Sequence, residues 1–147
     1  MTCYCCEKHQ EMLILESDFW IIELSSNQAY LGCSLVISKR HCGSLSELTV
    51  EEWLDLQKIV VKMELALKKA FDATLFNWSC LMNNFYKSNM SSPHVHFHLR
   101  PRYNHDVSID DEVFLDTEFG HHYNKKRTKE ITVLMIQKII QAIQENL

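Results

Sequence analysis

The chain of 147 residues is 46% hydrophobic and 23% charged, with a formal net charge of −4, the balance of a protein that buries one real core. The acidic excess argues against general nucleic-acid affinity, and no apolar run approaches the length of a membrane span. Residues 1–16 have no basic stretch followed by a long apolar core, so no secretion signal is expected, and six cysteines without an exported disulfide scaffold point to a reducing, cytoplasmic compartment with one metal-binding cluster.

Cys3, Cys5 and Cys6 crowd the start of the chain, and Cys3-x2-Cys6 is half of a zinc-type spacing. The segments 18–24 (DFWIIEL) and 31–38 (LGCSLVIS) read as strands joined by the polar SSNQAY. SELTVEEW carries a capping box, Thr49 with Glu52, and opens a helix whose buried stripe is expected at Trp53, Leu56, Val60, Met63, Leu67 and Phe71. TLFNWSCLM (74–82) returns to strand, and 83–93 is a polar loop. PHVHFHLRPRY follows, in which His94, His96 and His98 alternate with apolar residues as on a half-buried strand, and Arg100 shares the histidine face. Pro101 is expected to stop that strand's hydrogen bonding. Residues 107–115 suit a short hairpin, and 126–147 a last helix with Ile131, Met135, Ile139 and Ile143 on its apolar side and the basic run 124–129 as its solvated start. Strands and helices in blocks, rather than repeated βαβ units, argue for an α+β fold with an antiparallel sheet.

Three imidazoles on one strand face admit several readings. Structural histidines are common singly but each needs a partner when buried. Alternating histidines also suit a metal held by His94, His96 and His98 together. The third reading is nucleophilic catalysis, since neutral imidazole is a nucleophile and its usual pKa of about 6.5 leaves it neutral in the cell. His121 and His122 are adjacent and diverge on an extended segment, so a polar loop is the simpler reading there than a second metal site.

HVHFHLR resembles the histidine triad (HIT) pattern, His-φ-His-φ-His-φ-φ with φ apolar, except that Arg100 stands at the last apolar position. SLVISKRHCGSLSELTVEE is similar to the HIT segment in which a strand ends at a Lys-x-His turn and a helix follows. Asn83 lies where the family has a polar active-site residue, and NQAYLG, LFNWSCLMNN and DTEFGHHY are similar to small prokaryotic HIT nucleotide hydrolases of the diadenosine polyphosphate hydrolase type.

The resemblance implies a single HIT domain over 1–147, with the triad strand at about 94–100, a C-terminal extension at about 104–147 and two main helices, assembled as a homodimer. It implies nucleotidyl transfer on a nucleotide, adenine-containing by family habit. His96 attacks the α-phosphorus, a nucleotidyl-histidine forms, and water releases a nucleoside monophosphate. His98 binds the α-phosphate and assists the leaving group. Asn83 and Ser91 hold phosphate oxygens, with Asn89 supplying an amide where relatives have a Gly-Gln pair. Ser25 sits at the family's ribose position, and Asn27 is the stronger ribose ligand nearby. Arg100, with Lys39 or Arg40, would neutralise outer phosphates. A structural zinc is implied on Cys3, Cys6, His41 and His94, with Cys5 as a substitute ligand. A base would need an apolar wall, for which Phe19, Trp20 and Ile22 are candidates. Phosphorolysis instead of hydrolysis, a catalytically weak nucleotide-binding signalling module, and the three-histidine metal centre are the alternatives.

Overall fold

The computed structural model describes residues 3–87 and 92–147. Five strands make one antiparallel sheet in the order β1 (Leu13–Glu16), β2 (Trp20–Leu24), β3 (Ser34–Ser38), β5 (His96–Arg102) and β4 (Leu75–Ser79). A separate ribbon pairs β6 (Val107–Ile109) with β7 (Glu112–Phe114) around Asp110, whose φ is 51°. The helices α1 (Val50–Phe71) and α2 (Val133–Gln144) share one apolar core with the sheet. This is the expected α+β class, with an antiparallel sheet and two main helices.

Alternation along the strands sorts side chains onto two faces. Trp20 and Ile22 are fully buried toward α1, where Trp20 Nε1 donates to the Glu52 carbonyl at 2.9 Å. On β4, Trp78 Nε1 donates to the Glu64 carboxylate of the same helix at 2.9 Å. The register sets Ile37 opposite His96, Leu35 opposite His98 and Asn77 opposite Arg100, so these residues share the face turned away from α1.

The capping box is present, with Thr49 accepting from the Glu52 amide and Glu52 accepting from the Thr49 amide. The buried stripe is rotated from the expected one. Arg40 grips Glu52 through Nε and Nη2, both at 2.9 Å, and draws residue 52 inward to 3% exposure. Trp53, 100° further round the helix, is thereby left 42% exposed, while Ile59 and Ala66 join Leu56, Met63, Leu67 and Phe71 inside.

Other boundaries also differ. β1 falls in the unalternating MLIL run and carries a register irregularity between Leu13 and Leu15. Pro101 does not end β5. Pairing with β3 stops at Leu99, and the strand continues against β4 alone to Arg102. The last helix begins only at Val133, because Thr132 caps it by accepting from the Met135 amide at 3.1 Å. The run 124–129 is therefore not helical, and Gln28 donates its amide to the Lys129 carbonyl. Gly32, at φ +83°, lets the chain turn into β3 where an added Cβ would come within 2.6 Å of Leu67.

One buried ion pair pins the segment after β7 to the sheet. The Arg102 and Asp116 side chains are each 1% exposed. Arg102 donates to both Asp116 oxygens at 2.7 and 3.0 Å, to Asn77 Oδ1 at 3.2 Å and to the His121 carbonyl at 2.9 Å. Removing one partner of such a pair costs about 3–5 kcal/mol because the other charge stays buried. Asp116→Ala is expected to lose that much in urea unfolding, and Asp116→Asn, which keeps an acceptor, less.

Candidate functional site

His96 Nδ1 lies 2.9 Å from the His94 carbonyl oxygen. A carbonyl only accepts, so the Nδ1 position carries the proton, and the neutral ring presents a bare lone pair at Nε2. That Nε2 is 3.2 Å from His98 Nε2, so the hydrogen between them belongs to His98. Burial, reinforced by His96 and Arg100, pushes His98 down to about 4, so near pH 7 it is a neutral N–H donor beside the lone pair. Phe85, from the short turn Asn83–Tyr86, packs its ring edge on His96 at 5.7 Å.

His94 precedes the strand and is buried. Its Nε2 donates to the Ser38 carbonyl at 2.7 Å, which leaves Nδ1 as the ligand atom. Nδ1 is 3.4 Å from both Cys3 Sγ and Cys6 Sγ, and Cys6 Sγ is 3.4 Å from His41 Nδ1. The four ligand atoms lie within 4.8 Å of one another. Tetrahedral zinc, with Zn–S of about 2.3 Å and Zn–N of about 2.0–2.1 Å, requires S···N edges of roughly 3.5 Å. The donor set therefore fits a metal ion, and two sulfurs with two imidazoles make a closed set with no place for water. Burial holds His94 below its usual range, as suits a neutral ligand. Cys5 stands outside the set, its thiol pushed up to about 12 by burial and by Cys3 and Cys6. The three-histidine centre is not formed, because both His94 nitrogens are directed elsewhere.

A cavity of about 440 Å³ opens at His98, lined also by Ser25, Asn83, Lys87, Arg100 and Tyr123. Its outer wall is an arm of the same chain, residues 116–129. The Tyr30 hydroxyl donates to Glu118 at 3.0 Å and accepts from the Asn124 amide at 2.8 Å. Asn27 donates to the Arg127 carbonyl at 3.0 Å, and its Oδ1 accepts from the Ala29 and Lys129 amides at 3.0 Å. Asn27 thus lines the cavity with its amide already engaged by the arm, whereas Ser25 stands at the end of β2 on the cavity wall.

Lys39 and Arg40 turn away from Arg100, pairing with Glu16 and Glu52. Trp20 and Ile22 lie on the α1 side and form no wall here. On the histidine face the register runs from His98 to Leu35 to Glu23, whose buried carboxylate accepts from the His9 amide at 3.2 Å and meets its ring at 3.1 Å. Asn89 and Ser91 lie outside the described residues. His121 and His122 are exposed and belong to no ligand cluster among the described residues. Among the cavity residues that sequence reasoning did not name as site residues are Tyr30, Lys87, Tyr123 and Lys125; for Tyr30 and Tyr123 the trace was the joint presence of NQAYLG and DTEFGHHY, which prove to pack together.

Residues 7–105 match the family model of the HIT domain. A bis(5'-nucleosyl)-tetraphosphatase (asymmetrical) of Schizosaccharomyces pombe is 33% identical over 87 residues, 59% of this chain and 47% of that protein. An adenosine 5'-monophosphoramidase of the same organism is 31% identical over 78 residues, 53% of this chain and 54% of that protein. The chain spans about half the length of these curated relatives. Among solved structures, a Zn-bound histidine triad family protein of Mycobacterium smegmatis shares the fold, with a TM-score of 0.59 at 18% identity over 91% of this chain and 84% of that one. The family match takes in the triad strand, the sheet around it and the capped helix beneath, and the chain belongs to the HIT domain family.

Proposed function

We propose that the chain, read as one HIT domain over 1–147, is a nucleotide hydrolase acting at an α-phosphorus through a covalent nucleotidyl-histidine on His96. The observation that carries this reading is the pinned tautomer: His96 is bonded through Nδ1 to the His94 carbonyl, so its Nε2 lone pair faces the His98 N–H. The lone pair attacks phosphorus and the bridging P–O bond breaks, its electrons leaving with the outer group. His98 donates a hydrogen bond to an α-phosphate oxygen as charge builds. Water then attacks the intermediate and the P–N bond breaks, returning its pair to His96. His98 keeps its Nε2 hydrogen as a donor to the phosphate, the proton that water loses passes through the product's phosphate oxygens to solvent, and a nucleoside monophosphate is released. Asn83 on the cavity wall, with Asn89 and Ser91, would hold phosphate oxygens, and Ser25 the ribose. The adenine preference is supported by the similarity to an adenosine 5'-monophosphoramidase.

The Cys3, Cys6, His41 and His94 set is read as a structural zinc site. Bound metal would supply a brace between the amino-terminal turn and the strand that bears the nucleophile. A homodimer is supported by the free edge of β4 and by exposed Val50, Leu54, Val61 and Leu65 along α1. A cytoplasmic location is supported by six free cysteines. Among the described residues no helix is long and apolar enough to cross a membrane.

Turnover of a dinucleoside polyphosphate in oxygen-18 water, with phosphate present, should place one label in the monophosphate. A nucleoside diphosphate formed as the main product in place of the labelled monophosphate would mean phosphorolysis. His96→Gly should lower turnover by several orders of magnitude while nucleotide still binds; near-normal turnover in that variant would overturn His96 as the nucleophile, and nucleotide binding with no turnover by the unaltered chain would leave a binding module.

The depressed His98 gives a stability signature. Above about pH 6.5 the group is neutral in the folded and unfolded chain alike; between there and about 4 only the unfolded chain takes up the proton, so stability falls as pH drops through that window. His98→Asn should narrow the difference in urea midpoint between pH 7 and pH 5. Protein purified without chelators should contain close to one zinc per chain, and Cys6→Ser should lower the melting temperature more than it lowers turnover per folded molecule.

A further inference from the structure

We propose that Arg100, seated on Tyr123 and joined by Lys87 and Lys125, forms a subsite for the outer phosphates, so that the leaving group is a nucleoside polyphosphate and not an amine. The inference rests on the nucleotide reading above and names the class of substrate. Arg100 stands where the triad pattern calls for an apolar residue, on the histidine face and two residues beyond His98. From His96, where the first phosphorus would lie, the strand advances about 13 Å to Arg100, a gap bridged jointly by the length of the arginine side chain and that of a phosphate chain.

The guanidinium is held and incompletely bonded. Its Cζ lies 3.7 Å from the Tyr123 ring centroid, so stacking fixes the plane of the fork. Its Nη1 is buried and has no hydrogen-bond partner among the described residues. A buried donor without an acceptor is unfavourable until something supplies one.

No carboxylate of the arm is left to do so. Asp116 is taken by Arg102, and Glu118 by Arg127 at 2.7 Å. The buried Cys33 thiol beside Arg100 is pushed up to about 11, mainly by burial, and carries no negative charge near pH 7. Lys87 and Lys125, both exposed, extend the positive lining of the same cavity. A planar fork with flanking ammonium groups matches the oxygens of a phosphate chain. It gives no binding advantage to the amine released from a phosphoramidate and repels that amine when protonated.

Inorganic tripolyphosphate is the direct probe, titrated calorimetrically into the intact chain. Binding is expected, weakened at least tenfold by Arg100→Gln and several-fold by Lys125→Glu, which lies on the surface and leaves the fold untouched. In turnover, Arg100→Gln should lower the ratio of kcat/KM for diadenosine tetraphosphate over adenosine 5'-phosphoramidate at least tenfold. Unchanged tripolyphosphate affinity in both variants, or an unchanged ratio, overturns the subsite. Tripolyphosphate binding of the expected pattern with no turnover of any nucleotide keeps the subsite and removes the hydrolase reading.

Discussion

His94 donates from Nε2 to the Ser38 carbonyl, turns Nδ1 toward Cys3 and Cys6, and accepts the Nδ1 proton of His96 at its own carbonyl. One residue thus joins the end of β3, the amino-terminal turn and the orientation of the next histidine. The backbone on either side of the His94 carbonyl is held by the Val95 amide donating to the Cys42 carbonyl at 2.8 Å and the Ser38 amide donating to the Val95 carbonyl at 3.2 Å, which fixes the acceptor that keeps the His96 proton away from Nε2. The alternation of the triad therefore conceals a division of labour: the first histidine looks back to the sulfurs while the second and third look at each other.

The second constraint is the arm at 116–129. The Arg102–Asp116 pair anchors its start and the side chain of Asn27 its end, with Tyr30 between them. Since both anchors belong to the sheet or to the turn before β3, the cavity wall is built before any ligand arrives, and little ordering remains to oppose binding. Tyr123 sits in the middle of this braced span, which is why it can hold a long flexible arginine in one plane.

Local codes were readable from sequence alone. The HVHFHL alternation, the Thr49–Glu52 box and the Cys-x2-Cys spacing each express geometry within a few residues, and each appears in the fold. What was not legible depends on partners far along the chain. Nothing near Trp53 reports that Arg40 will draw Glu52 inward and turn the tryptophan out. Nothing in NKKRTK reports that Asn27 will bind it and delay the helix to Val133. The apolar look of Phe19, Trp20 and Ile22 was real, but alternation put two of the three on the helix side. Asn27 was singled out as a polar residue near the ribose position; it lines the cavity, and its amide also holds the arm, a role that only the distant partner reveals.

The contacts from Cys3 and Cys6 to His94 span 91 and 88 residues of sequence. A clip across so long a loop withdraws configurational freedom from the unfolded chain, by about 4–5 kcal/mol where a covalent bridge closes a loop of similar size. A metal-loaded chain would owe part of its stability to mass action, and its folded fraction would follow the free metal concentration. Scarcity of the ion would then be felt first as faster clearance of the protein by cellular proteases, with the chemistry of each surviving molecule little changed.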